Sequence, residues 1–271
     1  MSRPLWFVAL LKKLLPDRFW MAKLTHVPPI GAVVDYSLFR DDDVIYLPRD
    51  GTIQVYENIP EPEDMVLPSQ IVEHFIEAAN YHWVMDFCIC REGGDCQDYP
   101  KELGCIFLGE AVTQINPKLG RLVSKEEALE HARRCREAGL VHMIGRNRLD
   151  VVWLGANPGD KLMTICNCCP CCCLWKMLPV LTPDIGKKIS KMPGVTVTVT
   201  DLCNGCGTCT EGVCFVDAIR LDNDRAVITT ECRGCGLCVE VCPNEAIELR
   251  IDQAAFVQNT IDRLSPLVDI T

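Results

Sequence analysis

One cysteine pattern occurs twice near the C-terminus of this 271-residue chain. "CNGCGTCTEGVC" spaces Cys203, Cys206, Cys209 and Cys214; "CRGCGLCVEVCP" spaces Cys232, Cys235, Cys238 and Cys242, with Pro243 behind. Each run sets three thiols two residues apart and holds back a fourth. One tetrahedral ion leaves thiolates over from such triplets, which argues against a zinc ribbon. A cubane uses them: three thiolates from a tight loop wrap one face, and the fourth iron takes its ligand from elsewhere. Gly205, Gly207, Gly234 and Gly236 lie inside the two loops, where they let the backbone turn closely and aim amides at sulfides.

The stretch from about 195 to 251 resembles the bacterial-type two-cluster ferredoxins, with matching phrases after each run, "FVDAIRLDNDRAVI" and "PNEAIELRIDQ". The resemblance implies a ferredoxin-like fold holding two low-potential [4Fe–4S] clusters, the fourth cysteine of each run serving the other cluster. Carried onto this chain, it assigns Cys203, Cys206, Cys209 and Cys242 to one cluster and Cys232, Cys235, Cys238 and Cys214 to the other. The first run departs from the pattern. Four residues rather than three precede Cys214, and Phe215 stands where proline is usual, so the loop around the second cluster is open to a shift.

The chain has 19 cysteines in all, and an odd count in a chain this long argues against a closed disulfide framework. Eleven lie upstream. "CICREGGDCQDYPKELGC" carries Cys88, Cys90, Cys96 and Cys105, and "ICNCCPCCC" at 165–173 carries six. Within the latter, Cys166, Cys169 and Cys172 repeat the triplet spacing, with Cys168 and Cys171 interleaved and Pro170 forbidding a regular helix. Neighbouring cysteines in a loop point to different sides. The ten thiols therefore offer two further clusters with shared ligands, or one with spare thiols: Cys166, Cys169 and Cys172 with one of Cys88, Cys90, Cys96 and Cys105. Zinc is an alternative for the 88–105 set. Cys135, alone in a helical stretch, reads as a small buried hydrophobe. His82 and His142 read as hydrogen-bonded rather than ligating. Arg91 and Arg146 are candidates to sit beside an anionic cluster.

Elsewhere the pattern predicts an α+β chain: a mixed, cysteine-rich N-terminal domain over 1–194, the two-cluster domain over 195–251, and a helical extension over 252–271. Strands are expected in "GAVVDYSLF", "VIYLP", "TIQVYEN" and "LDVVWLGAN", and "PEPEDMVLPS" reads as a connection. A helix is expected across 69–87 and another from Ser124, capped by Glu127 and stopped near Gly139. "PDIGKKISKMPG" reads as a linker. No secretory signal or nucleotide-binding glycine motif stands out. The opening "LWFVALLKKLL" reads as an amphipathic helix, packed on the protein or docked on a membrane surface or partner subunit. A reducing cytoplasm suits this many free thiols.

Formal charge is −10, concentrated at the C-terminal end: residues 195–271 hold twelve acids and five bases and no lysine. That balance disfavours nucleic acid and favours a redox partner with a basic face. The combined expectation is an electron-transfer protein relaying single electrons through its clusters. The alternatives are an oxidoreductase, or a subunit of one, whose N-terminal cluster binds substrate beside a pocket, and a redox sensor or cluster carrier.

Overall fold

The computed structural model describes residues 2–54, 67–252 and 255–271. Its helices and mixed sheets make an α+β fold. Three helices open it: α1 (Leu5–Leu14), α2 (Arg18–Lys23) and α3 (Pro28–Val34). Strands β1 (Asp43–Tyr46) and β2 (Ile53–Gln54) follow, then α4 (Ser69–Ala78), β3 (His82–Met85), α5 (Ile89–Gly93), β4 (Ile106–Leu108), β5 (Gly120–Val123), α6 (Lys125–Glu137), β6 (Val141–Arg146), α7 (Arg148–Leu154) and β7 (Met163–Cys168). The remainder comprises α8 (Pro183–Gly186), β8 (Ile189–Lys191), β9 (Val195–Val199), β10 (Ile219–Asp222), β11 (Arg225–Ile228), α9 (Leu237–Glu240), β12 (Ile247–Ile251) and α10 (Phe256–Leu264).

Seven strands form one sheet in the order β5-β3-β4-β7-β6-β1-β8, antiparallel except for the β1–β8 pair. Because side chains alternate along a strand, each strand feeds two cores. Ile45, Val84, Ile106, Ile144 and Ile165 face a core closed by α4, α6 and α10. Tyr46, Met143 and Cys168 face the opposite side, packed against Trp175 and against Phe215 and Leu237 of the C-terminal cysteine region.

Several expected elements take another form. "GAVVDYSLF" is helical, α3 running into a π-helical turn at Asp35–Phe39, because Pro28 and Pro29 start a helix that the β-branched residues do not stop. The helix expected over 69–87 ends at Ala78, and His82–Met85 becomes a strand buried throughout and paired on both edges. "LDVVWLGAN" is the helix α7: the Asn147 side chain accepts from the Leu149 N–H, and Gly155 stops the helix at φ +71°. The linker-like stretch contains α8 and the sheet strand β8. "VIYLP" holds β1, and "TIQVYEN" only β2 among the described residues. "PEPEDMVLPS" lies mostly outside those residues. The Ser124–Glu127 capping box on α6 is as expected, with Gly139 at φ +79° beyond its end.

Elements also cross the expected boundary at residue 194. β2 pairs with β12, which pairs with β9, and Phe256, Ile261 and Leu264 of α10 join the core around Ile71 and Phe75.

Candidate metal centres

The two C-terminal runs fold as pseudo-repeats. Gly205 and Gly234 have φ +73° and +66°, Gly207 and Gly236 +84° and +87°, and Asp217 and Glu245 +49° and +50°. The Ala218 N–H donates to the Cys214 Sγ at 3.3 Å, and the Ala246 N–H to the Cys242 Sγ at 3.3 Å. The Ala226 N–H reaches the Cys203 Sγ and the Gly234 N–H the Cys232 Sγ, both at 3.4 Å. Amides aimed at sulfur stabilise thiolates, which are what an iron cluster requires.

The extra residue of the first run is taken up at Gly212, which turns at φ +71° with no atom within 4 Å of where a Cβ would stand. Cys214 is therefore not carried away. One small cavity is lined by Cys203, Cys206, Cys209 and Cys242, with Pro243 and Ala246. A second is lined by Cys214, Cys232, Cys235 and Cys238, with Phe215 and Leu237. Each fourth cysteine thus lies with the opposite triplet, and the donor sets fit two cubanes.

Residues 49–52 close over the second set. The Arg49 N–H donates to the Cys235 carbonyl at 3.2 Å, the Arg49 guanidinium pairs with Glu240, and a Cβ on Gly236 would lie 2.2 Å from the Thr52 Oγ1.

Upstream, the sheet divides the thiols. Cys166 and Cys168 are two apart on β7 and so share a face, opposite Met143 and Val141 of β6. The Cys105 Sγ is 3.9 Å from the Cys166 Sγ, and the Cys168 Sγ is 3.5 Å from the Met143 Sδ. Cys88 and Cys90 hydrogen-bond to each other: this bond lowers the Cys88 thiol to about 6 against burial, and the same pairing together with burial drives Cys90 well up. Cys173, buried beside Cys168, completes a ring of six. Cys173 counts among the ten upstream thiols but falls outside the triplet spacing, so the sequence assigns it to no ligand set. Its signal was only that it closes the run.

These six, together with Cys169, line a chamber of about 320 Å³, more than tenfold larger than the C-terminal cavities of about 10 and 20 Å³. Its other walls are mainly apolar, including Leu14, Met21, Leu38, Trp153 and Trp175. Leu14 and Met21 are also exposed, so the chamber reaches the outer face of α1 and α2, where Trp6 and Trp20 stand in solvent.

Past β7 the chain turns at Pro170; Cys169 still borders the chamber, while Cys171 and Cys172 leave it. Cys169, Cys171 and Cys172 gather with Cys96, all four sulfurs lying within 4.8 Å of one another. The expected triplet Cys166, Cys169 and Cys172 is thereby split. Cys166 is held by the strand on the chamber side, while Cys169 and Cys172 follow the turn.

Arg91 is fully buried near both sets and donates to the carbonyls of Pro100 and Asn167, each at 2.7 Å, and of Leu103. Burial works against its charge, but the thiols of Cys88, Cys169, Cys105 and Cys168 hold its pKa above the ordinary value. Arg146 instead lies near Asp41, 3.9 Å away. The His82 Nε2 bonds the Ile76 carbonyl at 2.6 Å, and the His142 Nδ1 bonds the Asn167 Oδ1 at 2.8 Å. Cys135, fully buried, is pushed up to about 12 by that burial and remains a protonated thiol.

Residues 226–248 match the family model of the 4Fe-4S binding domain, a span that contains Cys232, Cys235, Cys238 and Cys242. Comparison with curated proteins and with solved structures gave no match. The chain is an iron–sulfur protein with at least one [4Fe–4S] cluster. Among the described residues no helix is long and apolar enough to cross a membrane.

Proposed function

We propose that this protein is an electron carrier with a chain of clusters. Two cubanes are held by Cys203, Cys206, Cys209 and Cys242 and by Cys232, Cys235, Cys238 and Cys214, and a further iron–sulfur cluster is held by chamber thiols other than Cys169. The observation that carries this reading is the pairing of each C-terminal triplet with the distant fourth cysteine of the other run around one cavity. Bound clusters supply one-electron redox chemistry. The chain supplies rigid thiolates, amide donors and exclusion of water. Continuity toward the chamber is supported by one apolar core that includes Cys168 and Cys173 and has Cys214, Cys232 and Cys235 packed against it.

The partner is a redox protein that meets the acidic C-terminal end with a basic face, so docking weakens as salt rises. The apolar outer face of α1 and α2 is a second contact surface, for a subunit or a membrane surface. A second reading, an oxidoreductase in which the chamber admits a substrate beside its cluster, is favoured by the volume and apolar walls of that chamber.

Anaerobic iron and sulfide quantification with EPR of the reduced protein tests the relay. About twelve cluster irons are expected; about eight would confine the clusters to the C-terminal runs and refute a relay through the chamber.

A further inference from the structure

The four-thiol group Cys96, Cys169, Cys171 and Cys172 has a geometry unlike the other cysteine sets. Its sulfurs all lie within 4.8 Å of one another, with Cys96 to Cys171 at 3.3 Å and Cys171 to Cys169 at 3.4 Å. A single ion bound by four thiolates at about 2.3 Å places the corners of its tetrahedron roughly 3.8 Å apart. A cubane interposes four irons and four sulfides between its thiolates and spreads them well beyond that. Among the described residues neither C-terminal quartet closes this tightly, nor do the six chamber thiols other than Cys169. The two kinds of site therefore differ in size within one chain.

We propose that Cys96, Cys169, Cys171 and Cys172 hold one tetrahedral, thiolate-bound divalent ion, zinc or iron, separate from any cluster. The surroundings suit such an ion. Cys96 and Cys169 are buried, Cys171 and Cys172 are half-buried, and Leu103, Cys135 and Leu140 pack around them, with Tyr99 at the edge. Gly94 leaves room for Cys172: a Cβ there would stand 3.2 Å from its Cβ and 3.3 Å from its Sγ. Binding releases the thiol protons and leaves a complex of charge −2. The Arg91 guanidinium lies near Cys169, and the Lys176 Nζ sits on the Pro170 carbonyl at 3.0 Å within the same turn.

The ion has a mechanical role. It pins the turn 169–172 to the 88–105 segment, and that turn is flanked by Cys168 and Cys173, which face the chamber. Fixing its ends fixes two chamber thiols. Four protein ligands leave no open position, which marks a structural site rather than a catalytic one.

The full chain, purified anaerobically, is tested in two media. From zinc-supplemented medium we expect one zinc per chain, with four sulfurs at about 2.3 Å and no metal neighbour in its X-ray absorption spectrum. From iron-only medium we expect one iron in excess of sulfide. Cys171→Ser should lose the extra ion or lower its shell to three sulfurs, while the iron, sulfide and reduced-state EPR of the two C-terminal clusters stay unchanged. The proposal is overturned by no extra ion in either medium, by a Cys96–Cys171 disulfide, or by Cys171→Ser keeping the ion with a shell of four sulfurs. The wild-type zinc spectrum decides even if the variant fails to fold. Absent C-terminal cluster signals would sink the relay and leave the zinc stoichiometry standing.

Discussion

The rings of Tyr46 and Phe215 lie 5.5 Å apart with their planes at 54°. Tyr46 ends β1 of the seven-stranded sheet, and Phe215 directly follows Cys214 of the second C-terminal quartet. Both side chains are fully buried. The residue that departs from the ferredoxin pattern is thus the one that welds the cluster loop to the sheet. The Tyr46 hydroxyl has no hydrogen-bond partner among the described protein groups, and its pKa is driven well up by burial, reinforced by the thiols of Cys173, Cys168, Cys235 and Cys166. It therefore stands in the core as an unpartnered donor within electrostatic reach of the chamber thiols and of Cys235.

Tyr46→Phe is expected to leave the fold intact and to lower the reduction potential of one neighbouring cluster, because a hydrogen bond to cluster sulfur raises the potential. A potentiometric titration followed by EPR measures this, and an unchanged potential for every cluster would remove the hydroxyl from that role.

Exchange of the fourth ligands is read by paired variants. Cys214→Ala should abolish the cluster bound by Cys232, Cys235 and Cys238, and Cys242→Ala the one bound by Cys203, Cys206 and Cys209. Each loses about four irons and one EPR signal. Identical residual spectra in the two variants would contradict the exchange.

Arg91→Gln should destabilise the protein by about 3–5 kcal/mol, because it strips charge compensation from buried thiolates and leaves carbonyls at Pro100, Leu103 and Asn167 short of donors. Anaerobic denaturant melts of wild type and variant measure the loss. A change below about 1 kcal/mol would show that Arg91 is not needed there.

Burial lowers the His142 pKa from 6.5 to about 4. The unfolded chain takes up the proton first as pH falls, so stability is lost between about pH 6.5 and 4. From pH 7 to pH 5 the wild type should lose roughly 2 kcal/mol more than His142→Gln, as read from denaturation midpoints at the two pH values.

Two glycines with similar backbone should answer differently to alanine. Gly236→Ala combines φ +87° with a Cβ 2.2 Å from the Thr52 Oγ1 and 2.9 Å from its Cβ, so it should expel the second cluster. Gly212→Ala faces open space and should cost only about 1–2 kcal/mol, with full iron content. Iron per chain separates the two.

Chain spacing alone pointed to iron–sulfur chemistry at the C-terminal end. Three cysteines two residues apart with glycines between them fix a local loop whatever lies around it, and the 4Fe-4S match at 226–248 falls on one such loop. The capping box of α6 was legible for the same reason, since its partners are three residues apart. "LDVVWLGAN" and "HWVM" were misread because apolar runs that short do not choose between helix and strand until neighbours do. The 165–173 run was legible only in part. Its threefold spacing suggested one triplet, yet β7 extends through Cys168, and a strand places alternate residues on opposite faces. Only the sheet, by pairing Val141 with Cys168 and Met143 with Cys166, sends Cys166 and Cys168 to the chamber, sets Cys169 at the border of the two groups and leaves Cys171 and Cys172 to turn toward Cys96. Which thiols meet is a matter of pairing between strands far apart in the chain, and spacing along the chain carries no record of it.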